Sequence, residues 1–350
     1  MPPHQPVQVY VELTGFATTA SRKELAAYAT ALEDAGAAGV SVSDHLFGTS
    51  DGVPRSESVQ PACEPMTTLA AVAALSDRLG VQTVVANTAW QHPALLLRQC
   101  AQLAVLAGGE RVTAGLGAGW STEEFDAIGL SMPPFRPRMD RLEEVLSLAR
   151  ALFLYGSATA NGTYISAQDL PLSPRPETRP RILVGGGSDR ILRMAGRYAD
   201  ILDLHGDPRH GKVAGATMAQ ARVGDARRGA LTTVEELAER ARLVGAAAVD
   251  AGRMPEDVAV STQIIYAAFG DSSRVREAER ELCEGWAGIP EQELDRSAYL
   301  LFGEPAQMEA ALAERQQAYG LSRITIMAES GIELAPPDPL RFCRAVVPLL

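Results

Sequence analysis

Arg111-Val-Thr-Ala-Gly-Leu-Gly-Ala-Gly-Trp120, with Ser121-Thr-Glu-Glu124 behind it, is an apolar strand that runs into three alternate glycines and then into a helix start. The bare positions Gly115, Gly117 and Gly119 admit two readings. Either they pack a tight barrel corner, or they leave a strand end open to a flat ring or a phosphate, with the N–H groups of the next helix beside it.

Outward from this stretch, the same strand-then-helix unit recurs. Residues 7–13 are apolar and β-prone, and Ser21-Arg-Lys-Glu24 is a capping box that opens a helix. Residues 39–47 read as a second strand, 66–79 as a helix and 81–87 as a third strand; His92-Pro93 starts the next helix, with proline where its missing N–H costs little. The glycine-rich strand is therefore the fourth. Residues 138–153 then place Met139, Leu142, Val145, Leu146, Ala149, Leu152 and Phe153 at helical spacing. A fifth strand, 181–187, runs to Ser188, which caps a helix over 189–198, and a sixth, 201–204, ends at His205. Thr233-Val-Glu-Glu236 opens another helix, 258–269 and 323–328 read as strands seven and eight, and Asp338-Pro339 begins a closing helix. Eight parallel-type strands alternating with helices predict an α/β fold, a single (β/α)8 TIM barrel domain over residues 1–350, rather than an open doubly wound sheet. A barrel needs roughly 250 residues. The surplus falls in 48–65, 158–180, 206–231 and 271–300, which are expected as insertion loops at the C-terminal face.

A net charge of −11 and a pI near 5.1 argue against nucleic acid or an anionic membrane as the main partner and leave a small-molecule substrate. Cys63, Cys100, Cys283 and Cys343 are far apart with no C-x-x-C, which fits reduced thiols and a cytoplasmic protein better than disulfides or zinc. No basic-then-apolar leader is seen, and no apolar run approaches the ~18 residues of a membrane span. Lys23, in an expected helix, and Lys212, in a glycine-rich loop, are the only lysines, so a Schiff-base lyase is disfavoured. The first strand lacks the histidines of a barrel metal centre, so no metal is expected. Nucleotide-hydrolase, serine-esterase and Rossmann signatures are absent.

Barrel active sites lie at the C-terminal ends of the strands, which here carry Asp44 and His45, Asn87, 115–120, 185–188 and His205. His45 changes charge near neutral pH and Asp44 can bias it; for His45 and His205 alike, the alternative is a structural hydrogen bond. His4, His92 and His210 read as structural or solvated. Gly185-Gly-Gly-Ser188 before a helix suits a phosphate. Around it lie Arg175, Arg179, Arg181, Arg190, Arg193 and Arg197, a solvated face or a source of cations for an anionic tail. Level with these strand ends, the fourth-strand glycines favour the ligand-face reading.

Ser43-Asp-His45, Asn87 through His92-Pro-Ala-Leu-Leu96, Gly115-Leu-Gly-Ala-Gly-Trp120, Arg138-Met-Asp-Arg-Leu-Glu-Glu144, Ile182-Leu-Val-Gly-Gly-Gly187 and Leu192-Arg-Met-Ala-Gly-Arg-Tyr-Ala-Asp200 together resemble the bacterial luciferase-like superfamily, most closely its actinobacterial F420-dependent branch. The resemblance implies a cofactor ring over the strand ends, with Asp44 and His45 at its reactive edge. It implies a third-strand bulge at Thr83-Val84, with a non-prolyl cis peptide, behind the ring. Asn87, Gly115, Leu116, Gly117, Ala118, Gly119 and Trp120 would contact the cofactor, as would Gly185, Gly186, Gly187 and Ser188 toward its phosphate end. Trp120 stands where some deazaflavin relatives carry a catalytic glutamate, a departure from the sugar-phosphate dehydrogenases that leaves Glu64 or His205 to act as acid or base. The activity implied is hydride transfer between F420 and a C=C, C=N or C=O group of a small organic substrate, or its reverse, with His45 exchanging the proton. A separate reductase and a homodimer belong to the same expectation. Two alternatives stay open: an FMN-dependent monooxygenase that uses O2, and a non-catalytic flavin-binding relative. Polar strand ends favour an enzyme over the latter.

Overall fold

Eight parallel strands carry the fold: β1 (Gln8–Glu12), β2 (Gly39–Val42), β3 (Gly80–Thr83), β4 (Val112–Gly117), β5 (Arg181–Gly186), β6 (Ile201–Leu204), β7 (Ala259–Ile264) and β8 (Leu321–Ile326). In the computed structural model each pairs with its neighbour in chain order, β8 pairs with β1, and Ile182 opposite Ala114 joins β5 to β4, so the sheet closes on itself as a (β/α)8 barrel. Residues 5–49, 59–206, 231–285, 294, 296–327 and 339–350 are described. The expectations for His4, His210, Lys212, Ala328 and Asp338, and for most of 206–231, lie outside them.

The floor of the barrel explains two glycines at strand starts. A Cβ on Gly39 or on Gly80 would stand 2.4 Å from the Tyr10 ring or its hydroxyl, so both positions must be bare for that ring to fill the interior. Arg323, 4% exposed, lies 4.2 Å over the same ring and donates to Gln82 Oε1 (2.8 Å) and Gln8 Oε1 (3.1 Å). Outside the barrel, helices Pro93–Ala107 and Phe135–Tyr155 press Leu96, Leu97, Leu142, Val145, Leu146 and Leu152 onto the strands; the helical spacing in the sequence marks this face.

Several boundaries differ from those expected. The second strand stops at Val42, and Phe47–Thr49 instead pairs antiparallel with Val59–Pro61. The third is broken by a cis peptide between Val84 and Val85, after which Ala86–Asn87 pairs with Leu116 and Gly117. The apolar run 258–269 is two strands: Ala259–Ile264 in the barrel, and Tyr266–Phe269, which leaves it to pair with Leu300–Gly303. An apolar run reports burial, not partner, so this exchange is invisible in sequence. The stretch 271–300, read as irregular, carries helix Ser272–Gly285, and helix Pro305–Tyr319 was not anticipated. The insertion expected over 158–180 begins with a hairpin, Ser157–Asn161 against Ser166–Pro171. Among the described residues no helix is long and apolar enough to cross a membrane.

Candidate active site

Four consecutive residues past β2 are tied to three different parts of the barrel mouth. Ser43 donates through its backbone N–H and its hydroxyl to Glu12 Oε1 at the end of β1 (3.2 and 3.1 Å). Asp44 Oδ2 accepts from the backbone N–H of Asn87, 2.8 Å away. His45 Nδ1 lies 3.2 and 3.1 Å from the two carboxylate oxygens of Glu124, and the Leu46 N–H donates to Glu124 Oε1 at 2.6 Å. The turn is therefore held from β1, from the strand piece after β3 and from the helix after β4. Burial pushes the Asp44 carboxyl up to about 6; Glu64 and Glu124 add to this, while the Asn87 N–H and His45 oppose it.

Glu12 and Glu124, each 2% exposed, anchor the candidate site and are not among the residues that the sequence alone singles out. The signals existed: Glu12 is the one charged residue in an otherwise apolar strand, and Glu124 is the acidic member of a capping box. Half of that box forms, since Ser121 Oγ accepts from the Glu124 N–H at 3.4 Å. The Glu124 carboxylate, however, is spent on His45 and Leu46.

The glycines divide between the two readings. A Cβ on Gly115 would stand 1.9 Å from the Thr83 carbonyl oxygen, and one on Gly117 would stand 2.4 Å from Val85 Cγ2. The Thr83 hydroxyl also bonds both the Gly115 carbonyl and the Gly115 N–H, at 2.8 Å each. These two glycines, with buried Leu116 between them, pack a tight corner against the third-strand bulge, as the first of the two readings requires. Gly119, at φ +73°, is closed in the same way by the Asn87 side chain, whose Oδ1 accepts from the Ala89 N–H. Gly185 differs: the nearest atoms to its Cβ position are Val85 Cγ1 at 3.6 Å and Asp203 Cβ at 3.7 Å. Val85, Ala118, Gly185 and Gly186 are half-buried and form the open part of the mouth.

On the β5 side, Ser188 caps helix Asp189–Tyr198 by accepting from the Ile191 N–H. Gly187 is buried against the Gly206 carbonyl, 1.9 Å from its Cβ position, and buried Arg240 donates to the Gly187 carbonyl. His205 Nε2 is 2.9 Å from Asp203 Oδ2, which also accepts from Gln263 Nε2 at 3.0 Å. His205 thus belongs to a second polar cluster, separate in its contacts from that of His45. Trp120, 42% exposed, stands edge-on to the His45 ring with centroids 5.6 Å apart.

Other candidates are committed elsewhere. Glu64 is the N-cap of helix Pro65–Leu75, its carboxylate accepting from Met66 N, Thr67 N and Thr67 Oγ1, which corrects its reading as an acid or base. Arg179 grips Asp200, Arg190 reaches Asp140 and Glu143, Arg197 reaches Glu143, and Arg181 lies 3.6 Å from Glu110. These four arginines hold helices and loops together. His92 caps helix Pro93–Ala107, a structural role. In a groove beside the β4 end, lined by Thr88, Ala118, Pro137, Arg138, Arg141 and Tyr164, Arg138 donates through Nη1 to the Gly119 carbonyl and Arg141 to the carbonyls of Thr88 and Gln91.

A family model described as luciferase-like monooxygenase matches residues 6–331. The F420-dependent glucose-6-phosphate dehydrogenase of Beutenbergia cavernae is 34% identical over 179 residues, 51% of this chain and 51% of that protein. A pyrimidine monooxygenase of an Enterobacter species is 29% identical over 139 residues, 39% of this chain and 38% of that one. The chain thus spans about half or less of the length of these curated relatives. Among solved structures, an F420-dependent secondary alcohol dehydrogenase superposes with TM-score 0.72 at 16% identity, covering 99% of this chain and 98% of that one. A long-chain alkane monooxygenase superposes with TM-score 0.70 at 14% identity, covering 99% and 91%. At such identities these structures speak for the fold.

Proposed function

Because the chain belongs to the luciferase-like monooxygenase family, we propose that it is an oxidoreductase that binds coenzyme F420 at the barrel mouth and moves a hydride between it and a small organic substrate. The observation that carries this reading is a proton-exchanging group, His45, fixed by Glu124 beside an open floor of Val85, Ala118 and Gly185. That floor suits a flat ring: Gly185 has no protein atom nearer than 3.6 Å to its Cβ position, and Val85 presents an apolar surface. The start of helix Asp189–Tyr198 supplies N–H groups for a phosphate. When bound, a deazaflavin would supply a carbon that gives or takes a single hydride, a proton with its electron pair. The chain's part is to orient the ring against Val85, to cover the His45 side with Trp120, and to take or return the proton that accompanies reduction or oxidation at His45.

An FMN-dependent monooxygenase is the second reading, favoured by the similarity to a pyrimidine monooxygenase. Trp120, in the position discussed above, supports a substrate other than a sugar phosphate. Titration of the protein with F420 and with FMN, each oxidised and reduced and followed by fluorescence quenching, separates the readings. F420 is expected to bind, and binding of FMN alone overturns the first. The His45→Ala variant is expected to keep cofactor affinity within a few-fold and to lose about 10²-fold or more in turnover. Unchanged turnover removes His45 from the reaction.

A further inference from the structure

We infer that Glu124 is the positioning residue of His45: its carboxylate fixes the imidazole with Nδ1 as donor, and so leaves Nε2 as the nitrogen that exchanges the proton. The inference rests on the proton role proposed for His45. It starts from a contrast within the chain. At Ser21 the capping box closes fully, with the Glu24 carboxylate returning to the Ser21 N–H at 2.7 Å. At Ser121 the same motif closes by half, because the Glu124 carboxylate turns away from the helix start toward the loop after β2.

A glutamate at this position of a helix ordinarily satisfies the cap N–H at the surface. Here its side chain is 3% exposed, and such a carboxylate needs strong donors to stay charged. Two are supplied. The Leu46 N–H is 2.6 Å from Oε1, and His45 Nδ1 lies within 3.2 Å of both oxygens. An ionised carboxylate only accepts, so Nδ1 must carry the hydrogen whether the ring is neutral or cationic. The neutral ring then keeps its lone pair on Nε2, and the cation has its transferable proton there. Backbone and side chain are fixed together, because one carboxylate holds both the Leu46 N–H and the neighbouring ring. Among the described residues, Glu124 from the helix after β4 and Asp44 on the same turn are the titratable groups that interact with the ring, Glu64 from the start of helix Pro65–Leu75 acts on Asp44, and Trp120 stands edge-on to the ring.

Glu124→Gln tests this with little change of shape. The amide oxygen can still accept from the Leu46 N–H, but the amide nitrogen then faces Nδ1 and donates, which turns Nδ1 into an acceptor and moves the hydrogen to Nε2. Two-bond 1H–15N correlation spectra of 15N-labelled full-length protein, at a pH where the ring is neutral, report the tautomer; His45 is assigned by the signal lost in His45→Ala. The Nδ1–H form is expected in the parent protein and the Nε2–H form in Glu124→Gln. An Nε2–H ring in the parent, or the same tautomer in both, overturns the inference, and the parent spectrum decides alone if the variant does not fold. This readout needs neither cofactor nor substrate, so it fails or stands separately from the F420 titration. With a substrate in hand, Glu124→Gln is expected to lower kcat by about 10²-fold with KM within a few-fold; an unchanged kcat overturns the role.

Discussion

Asp44 and His45 are adjacent in sequence yet stand in opposite electrostatic situations. His45 faces a carboxylate, whereas Asp44 is buried with two other carboxylates in range, and its burial first and then their charges lift its carboxyl to about 6 against the opposing Asn87 N–H and His45. Because this folded-state value lies above the ordinary one of about 4, the native protein holds a proton that the unfolded chain releases between about pH 4 and pH 6. Its charge therefore costs stability above pH 6 and costs nothing below pH 4. Asp44→Asn keeps an acceptor for the Asn87 N–H. It is expected to stabilise the cofactor-free protein at pH 7.5 by up to about 3 kcal/mol, with the gain vanishing toward pH 4. Chemical denaturation at the two pH values checks this, and an equal effect at both rejects it. The strand-end position of Asp44 and His45 was legible as a site because barrels place their chemistry there. The anchors Glu12 and Glu124 were not, since their partners lie 31 and 79 residues away.

Among elements, the glycine-rich ends of β4 and β5 show how one residue type meets two different surroundings. The alternation Gly115, Gly117, Gly119 was read for its bareness, and bareness alone does not say which neighbour approaches. At Gly115 the neighbour is the Thr83 backbone; at Gly185 a Cβ would meet Val85 and Asp203 only at ordinary contact distance, 3.6 and 3.7 Å. Gly115→Ala is accordingly expected to destabilise the fold by at least about 1–3 kcal/mol, since backbone cannot move aside cheaply. Gly185→Ala is expected to leave the melting temperature within about 2 °C, as a surface substitution does, and to weaken cofactor binding. Thermal denaturation beside cofactor titration measures both. If Gly115→Ala is as stable as the parent while losing the cofactor, its glycine serves the ligand after all. Capping boxes behave similarly: Ser21-x-x-Glu24 and Ser121-x-x-Glu124 are one pattern in sequence, and only the burial of the second redirects its carboxylate.

At the scale of the molecule, the barrel has a filled floor and an open mouth. Tyr10, Arg323, Gln82 and Gln8 join β1, β3 and β8 at the strand starts, and burial holds the Arg323 guanidinium below its usual range, with the Tyr10 contact opposing. Arg323→Met leaves the buried Gln82 amide oxygen without its donor. It is expected to cost about 1–3 kcal/mol, read as a lower denaturation midpoint with an unchanged slope and unchanged cofactor affinity. Lost affinity at equal stability would instead tie the floor to the site. The sequence by itself determined the eightfold alternation, most of the helix starts and the candidate strand ends, because these follow from local periodicity and capping. Where residues 258–269 changed sheet, which glycines faced protein, and which carboxylate held His45 were decided by the tertiary structure. Each depends on what barrel closure brings opposite a residue, and that contact is set by distance in space, which the spacing along the chain does not contain.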